Sequence, residues 1–159
     1  MSIGERVPRR WARPRSPHAG DPLFVYGTLR FPEVLNELIG RTPELEPAQL
    51  PGRRAAALPG RVYPGLVIAT GAVAQGFLLH GLTSAEWEIL DAFEDDEYDL
   101  QPVCVHAGER ELYAWTYTWL DPVALEQWSP ERFAIENLPD YLGRTRAWRR
   151  GLFLPSGAV

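Results

Sequence analysis

Leu23-Phe24-Val25-Tyr26 is a continuous apolar run that stops at Gly27 and passes through Thr28, Leu29 and Arg30 towards Pro32-Glu33. Four apolar residues bounded by a glycine suit a buried strand. Pro32 as an opening residue, apolar Val34, Leu35, Leu38 and Ile39, and Gly40 as a stop predict a short helix directly after it. Outward from this unit, residues 41–72 are dense in proline and glycine. Short β-like pieces at 53–58 and 66–70 predict brief strands and turns there. Residues 73–80 read as a strand with Gly76 inside it, a place for a bulge. Residues 84–93 form the clearest helix, with Thr83 and Glu86 spaced as a capping box. Two β-rich runs, 97–107 and 110–119, meet at Ala107-Gly108-Glu109 as a hairpin. Ser129-Pro130 opens a last helical region that breaks near Pro139 and ends near Gly151. The order β-α, several strands, α, β-β, α predicts an α+β fold with a mixed, mostly antiparallel sheet and excludes a doubly wound one.

Composition narrows the chemistry. The chain has 159 residues, 45% of them hydrophobic and 23% charged, which suits one globular domain. A single cysteine, Cys104, excludes an intrachain disulfide and a cysteine zinc cluster. His18, His80 and His106 are not spaced as helical metal ligands. All 16 basic residues are arginine, which removes Schiff-base chemistry and the P-loop lysine. None of Ser2, Ser16, Ser84, Ser129 and Ser156 stands in a G-x-S-x-G context. Carboxylates, tyrosines and backbone amides remain as chemical tools.

Charge is uneven along the chain. Residues 1–20 hold five arginines and Glu5, residues 144–159 hold four arginines and no acid, and the span between holds seven arginines against twenty acids. The first stretch lacks apolar periodicity, and the expected organisation is a disordered Arg/Pro-rich arm at 1–20, a domain at 21–150 and a tail at 151–159. No secretory core segment and no run of 18 apolar residues occurs, so no membrane partner is expected. The lone thiol fits a cytoplasmic location. An arginine arm could touch nucleic acid, but the acidic body speaks against it.

The acidic stretch Asp91-Ala92-Phe93-Glu94-Asp95-Asp96-Glu97-Tyr98-Asp99 carries six acids in nine residues. Trp87, Leu90, Asp91 and Glu94 fall at i, i+3, i+4 and i+7 and share one helical face. Trp87 and Leu90 must face the core, so Glu94 points inward or to the core boundary one turn later. Helix-dipole, like-charge and desolvation effects then raise its pKa, as a general acid/base near neutral pH requires. A structural carboxylate or an adventitious cation ligand is the plainer reading of the same spacing. At Tyr26-Gly27-Thr28-Leu29, a strand running into glycine lets another group approach the backbone, and free amides there are a candidate cradle for a carboxylate or oxyanion. A plain strand end is the alternative.

The run Phe24-Val25-Tyr26-Gly27-Thr28-Leu29-Arg30 resembles the [FY]-x-Y-G-[ST]-L signature of the gamma-glutamylcyclotransferase-like superfamily. Leu50-Pro51-Gly52, Gly60-Arg61-Val62-Tyr63-Pro64, Val73-x-x-Gly76, Glu86-Trp87-x-x-Leu90-Asp91-x-Phe93-Glu94-Asp95-x-Glu97-Tyr98 and Ala114-x-x-Tyr117-x-Trp119 follow in the family's order. The ordered series is closest to the branch named after avirulence-induced-gene proteins of plants. The resemblance implies a small mixed β-barrel with flanking helices and a cavity at one end. It assigns substrate binding to the backbone from Tyr26 to Leu29 and the catalytic carboxylate to Glu94. Many relatives follow that Glu with Gly, where this chain has Asp95.

The expected activity is therefore cyclisation of a gamma-glutamyl amide to 5-oxoproline with release of an amine, Glu94 acting as general acid/base. Tyr98 and Tyr117 are expected to line the cavity, although each also suits the core. The expected partner is a small gamma-glutamyl molecule, and no metal or organic cofactor is called for. A small-metabolite-binding protein of the same fold, without turnover, is the alternative.

Overall fold

The computed structural model describes residues 16–94 and 97–151. Five strands close into a barrel in the order β1-β3-β2-β4-β5, where β1 is Leu23–Val25, β2 Leu45–Ala57, β3 Pro64–Leu79, β4 Tyr98–Ala107 and β5 Arg110–Trp119. Four helices among the described residues flank it: α1 Pro32–Ile39, α2 Ser84–Glu94, α3 Pro130–Glu136 and α4 Leu138–Gly151. β1 lies antiparallel to β3 and closes the barrel by a parallel pairing of Leu23 with Trp115; the other pairings are antiparallel. The mixed α+β barrel is the fold the sequence predicts.

Period-2 alternation divides the core. Phe24 and Tyr26 join Leu50, Leu66, Leu78, Val105 and Ala114 in one cluster, while Leu23 and Val25 join Val34, Leu35, Leu38, Trp87, Leu90, Trp115 and Phe133 in the other, the one built with the helices. Complete burial of a Leu such as Leu90 contributes about 1.5–3 kcal/mol, enough to fix which face of α2 turns inward. The capping box starts that helix as its spacing predicts: Glu86 N–H donates to Thr83 Oγ1 at 3.1 Å and Thr83 N–H to Glu86 Oε1 at 3.0 Å. Gly40 ends α1 with φ 74°, a left-handed cap.

The proline-rich middle departs from expectation. The expected short pieces at 53–58 and 66–70 belong to two long strands of 13 and 16 residues paired as a hairpin. Pro47 and Pro51 are exposed in β2, whose second edge meets β4 at the single pair Gln49–His106, so few ladder donors are needed there. The irregularity falls between Pro51 and Arg53, where Gly52 takes φ 80°, not at Gly76. Gly76 pairs in register with Ala48, and a Cβ there would run into the Val25 carbonyl oxygen and the Phe24 ring. Its lack of a side chain permits β1 to approach β3 closely.

Of the expected arm, residues 1–15 lie outside the described residues. His18 to Asp21 form a turn tied to the body: Gly20 N–H donates to the Leu82 carbonyl at 2.8 Å, and Trp115 Nε1–H donates to Asp21 at 3.2 Å. No helix among the described residues is long and apolar enough to cross a membrane.

Candidate active site

β1 is only three residues long, and the chain leaves it at the barrel's end through Tyr26 and Gly27. A 3-10 turn, Thr28–Arg30, follows. Its first hydrogen bond runs from Arg30 N–H to the Gly27 carbonyl at 3.1 Å, so the amides of Gly27, Thr28 and Leu29 precede it and are not consumed by the turn. Gly27 has a negative φ, −114°, and its need for glycine is steric: a Cβ would sit 2.9 Å from Pro64 Cγ and 3.0 Å from Cδ. The packing of β1's exit against the start of β3 thus requires a bare backbone at 27.

This exit lines a small inner cavity of about 30 Å³, together with Tyr63, Pro64, Glu94, Tyr98 and Tyr117. All seven residues singled out in the sequence, Tyr26, Gly27, Thr28, Leu29, Glu94, Tyr98 and Tyr117, line this one cavity. The tyrosine hydroxyls are engaged in holding it. Tyr26 Oη donates to the Tyr117 carbonyl at 2.5 Å, Tyr98 Oη to the Pro64 carbonyl at 2.7 Å, and Tyr117 Oη to Asp91 Oδ1 at 3.2 Å. Burial, reinforced by neighbouring acidic groups that include Glu94, holds all three phenols well above their usual pKa, so they remain protonated donors.

Glu94 is the last residue of α2, one turn beyond Leu90, as the helical face predicts. The residue as a whole is half-buried, yet its carboxyl sits at the cavity wall, out of bulk water. No arginine and no hydrogen-bond donor among the described residues pairs with it. Burial first, then the charges of Asp91 and Glu97, push its pKa up to about 8. Asp95 and Asp96 lie outside the described residues. Glu97 is exposed and tied down: Arg61 pairs with it at 2.8 Å, and Tyr63 Oη donates to it at 3.0 Å. These contacts pin the loop between β2 and β3 over the site.

A second space of about 230 Å³ opens outward from the same residues Thr28, Tyr63, Glu94 and Tyr98 and is walled by Phe93, Tyr141, Arg144, Thr145 and Trp148. Tyr141 Oη donates to Thr28 Oγ1 at 3.1 Å, which joins α4 to the loop at the end of β1. The α4 residues were not anticipated in the sequence. Their signal was present: Tyr141, Arg144, Thr145 and Trp148 are spaced i, i+3, i+4, i+7, one face of a helix. Tyr63 lay inside a quoted motif without a role.

Residues 23–133 match the family model described as Gamma-glutamyl cyclotransferase, AIG2-like. The chain belongs to this family. AIG2-like protein D of Arabidopsis thaliana is 31% identical over 143 residues, covering 86% of this chain and 94% of its own. AIG2-like protein C of the same plant is 35% identical over 138 residues, covering 84% and 80%. An Arabidopsis thaliana protein solved in solution superposes with a TM-score of 0.62 at 31% identity over 85% of this chain and 94% of that one. A structure titled gamma-glutamyl cyclotransferase, at 16% identity and TM-score 0.58 over 80% and 87%, shares the fold. The family match includes β1, its exit loop, Phe93 and Glu94, and it stops before α4, which supplies Tyr141, Arg144, Thr145 and Trp148 to the outer space.

Proposed function

We propose that the protein is a gamma-glutamyl cyclotransferase in activity as well as in family, converting a gamma-glutamyl amide to 5-oxoproline and a free amine. The observation that carries this is Glu94: a carboxyl on the inner cavity that pairs with no group among the described residues, with a pKa of about 8, on the same cavity as the Gly27–Leu29 backbone. The α-ammonium of a gamma-glutamyl unit must lose a proton before its nitrogen can attack, and a carboxyl poised near neutral pH suits that transfer.

The α-ammonium of the bound gamma-glutamyl group gives a proton to ionised Glu94. The freed nitrogen lone pair attacks the γ-carbonyl carbon, forming the C–N bond of a five-membered ring. The tetrahedral intermediate collapses by breaking the bond to the leaving nitrogen. Across the reaction the α-nitrogen gives up two protons and the leaving nitrogen gains two, with Glu94 as carrier, so water is not consumed. Ring closure is intramolecular, and the protein contributes mainly by holding the chain folded for attack. The amides at 27–29 suit either the substrate carboxylate or the developing oxyanion. Tyr26, Tyr98 and Tyr117 shape the cavity, their hydroxyls being spent on holding its walls.

The test is a panel of gamma-glutamyl amides scored by appearance of 5-oxoproline, with Glu94→Gln as the blank. Turnover by the parent and none by the variant supports the reading. Saturable binding without 5-oxoproline would instead make the protein a small-metabolite-binding member of its family.

A further inference from the structure

The outer space is built for a different chemistry from the inner one. Phe93, Tyr63, Tyr98, Tyr141 and Trp148 give it aromatic walls, with Phe93 edge-on to Trp148 at 5.0 Å and to Tyr141 at 6.3 Å. Arg144 is its positive group, its guanidinium 5.8 Å from the centre of the Tyr141 ring. Arg41, Arg61, Arg110, Arg132 and Arg146 each pair with a carboxylate. No carboxylate among the described residues pairs with Arg144. Two carboxylates line this space: Glu97 is already neutralised by Arg61, and Glu94 pairs with no arginine among the described residues. An aromatic slot with an unspent guanidinium fits an apolar body carrying an anion, and a guanidinium holds a carboxylate in a two-pronged geometry that an ammonium does not.

We infer that this outer space receives the leaving group, and that the preferred leaving group is an amino acid with an aromatic or large apolar side chain, its free carboxylate held by Arg144. The inference rests on the proposed cyclotransferase reading. Geometry supplies the link: Thr28, Tyr63, Glu94 and Tyr98 line both spaces, so a substrate whose gamma-glutamyl end fills the inner cavity extends its amide nitrogen past Glu94 into the outer one. α4 supplies Arg144 and Trp148 to this space, so leaving-group choice is set largely by a helix separate from the β1 exit loop and from Glu94.

Two ligands that differ only in the carboxylate test this: gamma-glutamyl-phenylalanine and gamma-glutamyl-2-phenylethylamine. With the parent protein, kcat/KM should favour the first by about tenfold, as expected for one charge-assisted pair. Arg144→Gln should collapse that ratio to near one, through KM and not kcat, and Arg144→Lys should restore part of it. Gamma-glutamyl-alanine should be a poorer substrate than gamma-glutamyl-phenylalanine, and Trp148→Ala should narrow that gap. A ratio unaltered by Arg144→Gln in a folded variant overturns the inference. Calorimetric titration of the same ligands into Glu94→Gln protein separates it from the underlying reading. Carboxylate-dependent binding lost on adding Arg144→Gln upholds the subsite even where no 5-oxoproline forms, whereas equal binding of the two ligands overturns it even where turnover is seen.

Discussion

Glutamates meet opposite fates in two regions of this molecule. On the outer surface, Glu37, Glu46 and Glu86 are each met by an arginine, Arg146, Arg110 and Arg41, whose hydrogen bonds hold their carboxyls below the usual range. At the barrel's end, Glu94 meets no arginine among the described residues, is enclosed by aromatic walls and has Asp91 and Glu97 for neighbours, and its pKa rises to about 8. The residue type is the same; the difference is which partner the fold brings. Surface pairs of this kind add little stability because water screens them. An enclosed, unpaired carboxyl costs stability, and that cost is what poises it for proton transfer.

The largest expected effect breaks the comparison at its centre. Glu94→Gln should lower 5-oxoproline formation by on the order of 10²–10⁴-fold, because an amide cannot carry the proton. Glu86→Gln, which keeps the capping geometry, should leave turnover near the parent's. Equal losses in the two variants would mean that the environments are not functionally distinct. The same Glu94→Gln protein should be more stable than its parent at pH 8. Glu94's folded-state pKa lies above its unfolded value of 4.5, so its contribution is fully favourable below 4.5 and is lost as pH rises to about 8. The gap in melting temperature should therefore close as pH falls towards 4.5.

Gly27→Ala comes next. A methyl group against Pro64 must displace the residue whose carbonyl accepts from Tyr98. Overpacking of this kind costs about 1–3 kcal/mol, readable as a lower unfolding midpoint, with turnover reduced beyond what the unfolded fraction accounts for. A variant with the parent's turnover would show that the loop is no more than the end of a strand.

Asp91→Asn sharpens the electrostatic half. If Glu94 must be ionised to accept a proton, kcat/KM rises with pH through about 8. Removing Asp91's charge takes away a term that raises Glu94, so the rising limb should move to lower pH, while Asn can still accept from Tyr117. An unmoved limb would assign the titration to another group.

The smallest effect is that of Tyr141→Phe. It removes the hydrogen bond to Thr28 and should cost about 0.5–1.5 kcal/mol in chemical denaturation. Turnover should change only modestly, since α4 would still pack through Phe133 and Phe93.

Local patterns were legible wherever one residue's neighbours in sequence are also its neighbours in space. The capping box at Thr83 and Glu86, the 3.6-residue face that turns Glu94 inward, and the glycine stops at Gly40 and Gly108 are of this kind. The long β2–β3 hairpin was not legible, because prolines that read as breakers sit on an edge with few partners, a fact set by β4's distant position. Nor was the role of Gly76, which answers to β1 some fifty residues earlier in the chain.

By itself the sequence determined the element order, the mixed α+β class, the scarcity of chemical tools and the helical face that Glu94 shares with Trp87, Leu90 and Asp91. Only the tertiary structure decided that this carboxylate faces the backbone at 27–29, that no arginine among the described residues reaches it, and that α4 walls the space beyond. Periodicity reports which way a side chain leaves its own helix or strand. What it meets there depends on barrel closure and helix docking, which bring together residues as far apart as Thr28 and Tyr141.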